Sequence, residues 1–230
     1  MIQLSGVSKS YLEKSRGPIR ALDEIDLEVK KGEFLYVVGG SGAGKSSLLR
    51  LIATEEVSSS GSVSLFGYNV VSATPSTLCA IRRSIGYIPQ NIRLISDFTV
   101  YDNVMLSISL ARHAVIRAEA ENRVMELLER LGLAPKRYHL ARTLSGGEAQ
   151  RVAVARALVR LPEIIIADEP TGAQDKDFVW TVMDLFHKAN QTGATLIVAT
   201  HDREIVRRVR RKSIVLKSGK TAAEEGLCFY

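Results

Sequence analysis

Apolar and polar positions change period three times along this chain. "LDEIDLEV" alternates, with Leu22 offset and Ile25, Leu27 and Val29 then falling on one face, which predicts a half-buried strand. "EFLYVVGG" is a continuous apolar run ending in glycines, the pattern of a strand covered on both faces and entering a loop. "GSVSLFG" alternates again between glycines. The middle turns helical: "ENRVMELLERLGL" sets Val124, Leu127, Leu128 and Leu131 at helical spacing, with Gly132 as the stop. In the last third, buried strands ("EIIIADEP", "ATLIVATHD", "KSIVLKSG") alternate with helical segments ("FVWTVMDLFHKANQTG" and a short basic stretch). Strand–helix alternation implies an α/β fold with a mostly parallel sheet and helices on its faces. The helical stretch from Thr77 to Leu140 interrupts it as an inserted subdomain, leaving 1–76 and 141–230 as the core of a single domain.

Composition narrows the class. The chain has 230 residues, 46% of them hydrophobic and 24% charged, enough for a core and too apolar for general disorder. No apolar run nears the ~18–20 residues that cross a bilayer, and "MIQLSGVSKSY" does not read as a signal peptide. Cys79 and Cys228 stand in no metal or redox spacing, which fits a cytosolic compartment. The net charge of +6 admits an anionic nucleotide, a membrane surface or nucleic acid. Arg207, Arg208, Arg210, Arg211 and Lys212 supply much of the excess. They read as a solvated helix end, without the aromatics that a single-strand-binding surface needs.

The candidate chemistry lies at strand ends. "GGSGAGKSS" (Gly39, Gly40, Ser41, Gly42, Ala43, Gly44, Lys45, Ser46, Ser47) follows a buried strand and opens onto "LLRLIA", which fits the phosphate loop G-x-x-x-x-G-K-[ST] in its proper context. Its glycines let backbone N–H groups turn toward phosphate, and the helix start adds partial positive charge. Lys45 reaches the β- and γ-phosphates, and the Ser46 hydroxyl holds Mg²⁺. Asp168 ends the strand of "IIIADEP" at the carboxyl edge of the sheet, where ligands bind in such folds, and orients Mg²⁺ through water. Glu169 is the candidate general base. A carboxylate pair at a strand end could instead cap a helix. His201 in "LIVATHD" faces the same edge and could bond the γ-phosphate, or simply stand in solvent. Gln90 in "IGYIPQN", at the end of a short strand and the start of the inserted helical region, could touch Mg²⁺ or the attacking water and move with the insert, though a glutamine at a loop start says little alone.

"LSGGEAQRVAVARAL" poses a puzzle. It is a second glycine turn opening onto a helix, and it has no lysine. Taken together and in order, the phosphate loop, "PQ", "LSGGEAQ", "IIIADEP" and "ATHD" resemble the nucleotide-binding subunits of ABC transporters over essentially the whole chain. "LSGGEAQ" is that family's signature. The resemblance implies ATP and Mg²⁺, with ATP hydrolysed as the reaction. Tyr11 in "VSKSY" matches the adenine-stacking aromatic and Gln90 the Q-loop. Asp168 and Glu169 match the Walker B aspartate and catalytic glutamate, and His201 matches the switch histidine. Leu144, Ser145, Gly146, Gly147 and Glu148 would serve the ATP held by a second copy, in a head-to-tail homodimer. In "TGAQD" the family's leucine is replaced by Gln174, while Asp175, its dimer-contact residue, is kept.

"RRSIGYIPQNIRLISDFTVYDNV" and "ADEPTG" are further similar to the bacterial cell-division branch FtsE, with the LolD and MacB types close. That branch implies an integral FtsX-like partner and a peripheral place on the cytoplasmic face of the inner membrane. LolD- or MacB-type lipoprotein release or export is the alternative. A soluble ATPase acting on nucleic acid or ribosomes is disfavoured, because the chain carries one such unit, with no linker to a second and no long coiled coil.

Overall fold

The computed structural model describes residues 2–13, 17–110, 117–172 and 176–222. Gln174 and Asp175 lie outside them, as do His113 and Cys228.

Two sheets build the molecule. The smaller is antiparallel, in the order β2-β1-β4-β5, from Ile2–Glu13 (β1), Gly17–Val29 (β2), Ser60–Leu65 (β4) and Tyr68–Asn69 (β5). Ile25, Leu27 and Val29 are buried together as the alternation requires, and Leu22 joins them. The β1–β2 register slips between Val7↔Ile25 and Lys9↔Leu22, and Glu24 sits at φ 52. This bulge brings the offset leucine back to the core face.

The larger sheet has the order β10-β9-β3-β8-β7-β6. Its strands are Phe34–Val38 (β3), Ile85–Ile88 (β6), Ile164–Asp168 (β7), Thr195–Ala199 (β8), Lys212–Lys217 (β9) and Lys220–Ala222 (β10). All neighbours pair in parallel except β10 with β9. Alternate residues feed two cores. Phe34, Tyr36, Ile165, Ala167, Leu196 and Val198 pack with the helices Val100–Ser109 (α3), Arg117–Arg130 (α4), Gly146–Leu158 (α5) and Lys176–Gln191 (α6). Leu35, Val37, Ile164, Ile166, Ile197 and Ala199 pack with Lys45–Ile52 (α1) and the small sheet. Cover on both faces is why these strands read as unbroken apolar runs.

Short helices complete the chain at Pro75–Arg83 (α2) and Arg203–Arg208 (α7). On α4, Val124 and Leu128 are buried as the spacing predicts, and Leu131 just beyond it is too; Leu127 is only partly covered, and Gly132 ends the segment at φ 68. One boundary differs from the expected 77–140 subdomain. β6 falls inside that range yet pairs with β7 in the large sheet, so the helical unit proper follows Gln90. Among the described residues no helix is long and apolar enough to cross a membrane.

Candidate active site

Because β3, β6, β7 and β8 run parallel, their carboxyl ends share one edge. That edge receives Gly39–Ser47 after β3, Gln90 after β6, Asp168 and Glu169 at and after β7, and His201 after β8.

The loop after β3 is held by its surroundings. A Cβ on Gly39 would lie 2.4 Å from the Leu216 carbonyl oxygen of β9, and one on Gly44 2.5 Å from the Ala21 carbonyl oxygen of β2. Gly44 is also left-handed at φ 104, so no other residue fits either by space or by conformation. The turn between β9 and β10 completes the clamp. Gly219 N–H donates to the Ala43 carbonyl at 3.0 Å, and its own carbonyl accepts from Asp23 N–H at 2.8 Å. The α1 helix then begins without a side-chain cap and without an acidic residue in its first turn. Its leading amides and dipole favour an anion. Lys45, almost wholly buried, donates to the carbonyls of Gly39 at 2.8 Å and Gly40 at 3.1 Å.

Asp168 is 1% exposed, and neither carboxylate oxygen accepts a hydrogen bond of good geometry. Burial pushes its pKa up. The adjacent Ser46 hydroxyl and the charges of Arg50 and Lys45 pull the other way without overcoming it. A buried carboxylate without a donor is costly; beside a serine hydroxyl it supplies the oxygen ligands that a hard divalent cation selects. Glu169 follows at φ 50, fixed by its N–H on the Ala199 carbonyl at 3.0 Å. Its Oε1 lies 2.7 Å from His201 Nδ1. An ionised carboxylate only accepts, so Nδ1 carries the proton in this pair. Gln90 lines a 600 Å³ cleft with Arg50, Glu55, Tyr87 and Arg93.

Tyr11 reaches the same loop from β1. Its hydroxyl contacts Ser47 Oγ at 3.3 Å and donates to Glu56 Oε2 at 2.6 Å. Glu56, Arg50 and Tyr87 belong to none of the sequence motifs. For Glu56 a signal exists: two acidic residues, Glu55 and Glu56, close behind the C-terminus of α1, where the helix dipole disfavours them.

Leu144–Glu148 stands apart. Ser145 caps α5 and forms a capping box with Glu148, whose Oε1 is 2.5 Å from Lys136 Nζ. Lys136 and the Ser145 amide hold the Glu148 carboxyl down at about 2. Among the described residues this segment shares no hydrogen bond or ion pair with Lys45, Asp168, Glu169 or His201. Farther along α5, buried Gln150 donates to the Pro170 carbonyl at 2.8 Å and ties the helix to the turn after Glu169.

A family model described as "ABC transporter" matches residues 22–172. The cell division ATP-binding protein FtsE of Mycobacterium tuberculosis is 40% identical over 226 residues, covering 98% of this chain and 96% of that protein. The macrolide export ATP-binding/permease protein MacB of Sodalis glossinidius is 37% identical over 97% of this chain but only 34% of its own length. The fold is similar to the dimeric ATP-binding cassette MJ0796 in a post-hydrolysis state bound to ADP and Pi, with TM-score 0.90, 36% identity and 100% of both chains covered.

Proposed function

The chain belongs to the ABC transporter family as an ATP-hydrolysing domain, and from that premise we propose that it is an FtsE-like subunit coupling ATP hydrolysis in a head-to-tail homodimer to an FtsX-like membrane partner in cell division. The observation that carries this reading is the 40% identity to an FtsE protein over nearly the full length of both chains. The chain would then work from the cytoplasmic face of the membrane.

ATP would enter with its phosphates at Gly39–Ser47. Lys45 exchanges the carbonyls of Gly39 and Gly40 for β- and γ-phosphate oxygens, and α1 presents its leading amides. Tyr11 stacks on the adenine. Asp168 and Ser46, with Gln90 at the rim, would hold Mg²⁺, which the orphaned carboxylate fits, and the bound ion would supply charge neutralisation at the phosphates. Glu169 takes the proton of the attacking water. His201, held through Nδ1, keeps that carboxylate oriented and turns Nε2 outward, where it donates to the γ-phosphate only as imidazolium. Ser145, Gly146 and Gly147 of a second copy close on the same phosphate. Hydrolysis removes the γ-phosphate contacts and the pair opens.

The test is partnership. Co-expressed with a candidate FtsX-like subunit, the chain should co-purify in detergent and its ATPase rate should rise on reconstitution into vesicles. A chain that ignores that subunit and pairs instead with a MacB-type permease domain would favour the export reading, which the 37% identity to MacB keeps in play.

A further inference from the structure

Glu56 belongs to none of the motifs, yet it joins three segments beside the phosphate loop. Its Oε2 accepts from the Tyr11 hydroxyl at 2.6 Å and meets Lys9 Nζ at 3.1 Å; its Oε1 is 3.4 Å from Arg50 Nη1. The Tyr11 hydroxyl also touches Ser47 Oγ at 3.3 Å. Lys9 Nζ stands 5.0 Å from the centroid of the Tyr11 ring and donates to the Val57 carbonyl at 2.9 Å. The ring is therefore pinned at its tip by Glu56 and Ser47, with an ammonium over one face. Immediately beyond it, Leu12 is 89% exposed, so strand packing there does little to orient a side chain.

We propose that Glu56 is a positioning residue for the nucleobase: it holds the Tyr11 ring so that the face away from Lys9 is ready to receive adenine. This rests on the reading of Tyr11 as the stacking aromatic. A ring ordered beforehand loses little freedom when the base arrives, and the saving appears as affinity. Charge gives a check of opposite sign. A carboxylate near a polyphosphate site repels the ligand, and Lys9 and Arg50 beside it offset that cost. If Glu56 acted only through its charge, removing it would tighten nucleotide binding. If it positions Tyr11, removing it loosens binding, and only for ligands that carry a base.

Calorimetry on the full chain separates these cases, with ADP as the base-bearing probe and inorganic pyrophosphate as the base-free one. Glu56→Ala and Tyr11→Phe should each weaken ADP by about fivefold, the worth of one hydrogen bond. Pyrophosphate should not weaken, since losing the carboxylate only makes the site more positive, and the double variant should be little weaker than either single. Steady-state kinetics should show a raised KM for ATP at constant kcat. Glu56→Gln, which keeps an acceptor for the Tyr11 hydroxyl, should recover part of the loss and serves if the alanine variant does not fold. The proposal is overturned if Glu56→Ala leaves ADP unchanged or tightens it, if pyrophosphate weakens equally, or if the two effects add. Tyr11→Ala distinguishes the failures. Wild-type ADP binding by that variant would remove the stacking reading and this inference with it. A loss in Tyr11→Ala without one in Glu56→Ala would remove the role of Glu56 alone.

Discussion

Two helices of this chain open from glycine turns, and they open differently. Before α1, Gly44 offers no side-chain cap and no acid follows in the first turn. Before α5, Ser145 caps the helix and Glu148 closes the box, with Lys136 balancing its charge. The first start leaves amides and a lysine for an outside anion. The second satisfies itself and carries its own carboxylate. Of the two, the start that lacks a cap of its own is the one that matches the phosphate loop and carries its lysine. The contrast also answers why α5 lacks a lysine, under our proposal that it meets an ATP already held by the Lys45 of another copy.

The contrast can be broken by experiment, most strongly at the α1 edge. Glu169→Gln should lower kcat about a thousandfold, within the range of general-base effects, while ATP still binds. Sedimentation with ATP and Mg²⁺ should then show a trapped dimer, and a monomer would end the sandwich mechanism for the isolated chain. Lys45→Ala should weaken ATP by about a hundredfold by titration calorimetry, the scale of charge-assisted hydrogen bonds; unchanged affinity would sink the assignment of the loop.

Stability should separate the two starts by sign. Asp168→Asn removes a buried charge without a donor and should raise Tm of the nucleotide-free chain by about 2–4 °C per kcal/mol relieved. Ser145→Ala removes a cap worth about 1 kcal/mol and should lower Tm by a similar amount. Equal signs in thermal melts would erase the distinction.

The smallest effect is in pH. Glu148 has its folded pKa at about 2, below an unfolded value of 4.5, so its contribution is complete above pH 4.5 and is lost as pH falls toward 2. Asp168 runs the other way. Its raised pKa makes it destabilising above that value, and the penalty disappears as pH falls below 3.8. Melts of Glu148→Gln and Asp168→Asn against wild type between pH 6 and 3, values chosen to bracket carboxylate titration, should therefore converge on it from opposite sides.

Much of the fold was legible because the strands of the large sheet are covered on both faces and announce themselves as apolar runs. β6 was legible as a short strand before Gln90, but its place in the large sheet was not, since that depends on pairing with β7. The phasing of Leu22 was equally hidden, because a bulge at Glu24 is set by the partner strand. At the site, Lys45, Asp168, Glu169 and His201 were readable from strand ends, as local order puts them on one edge. Glu56 was not, because its value comes from Lys9, Tyr11 and Arg50 on other segments. The basic cluster shows the same limit. Arg208 pairs with Glu204 and lies over Trp180, Arg211 reaches His187 and Phe34, and Lys212 reaches Glu33, so these charges are partnered rather than merely solvated.

The seat of Gly39 against the Leu216 carbonyl, with Gly219 bonded to Ala43, has a consequence for biosynthesis. A ribosome delivers the phosphate loop early and its clamp some 175 residues later, as the numbering of Gly39–Ala43 and Leu216–Gly219 dictates. Until the hairpin of β9 and β10 has emerged and docked, the loop lacks the side of its cradle that Leu216 and Gly219 form and keeps only the Ala21 side on β2. The complete cradle is thus a product of pairing between segments distant in sequence, and it exists only once Gly219 has been made.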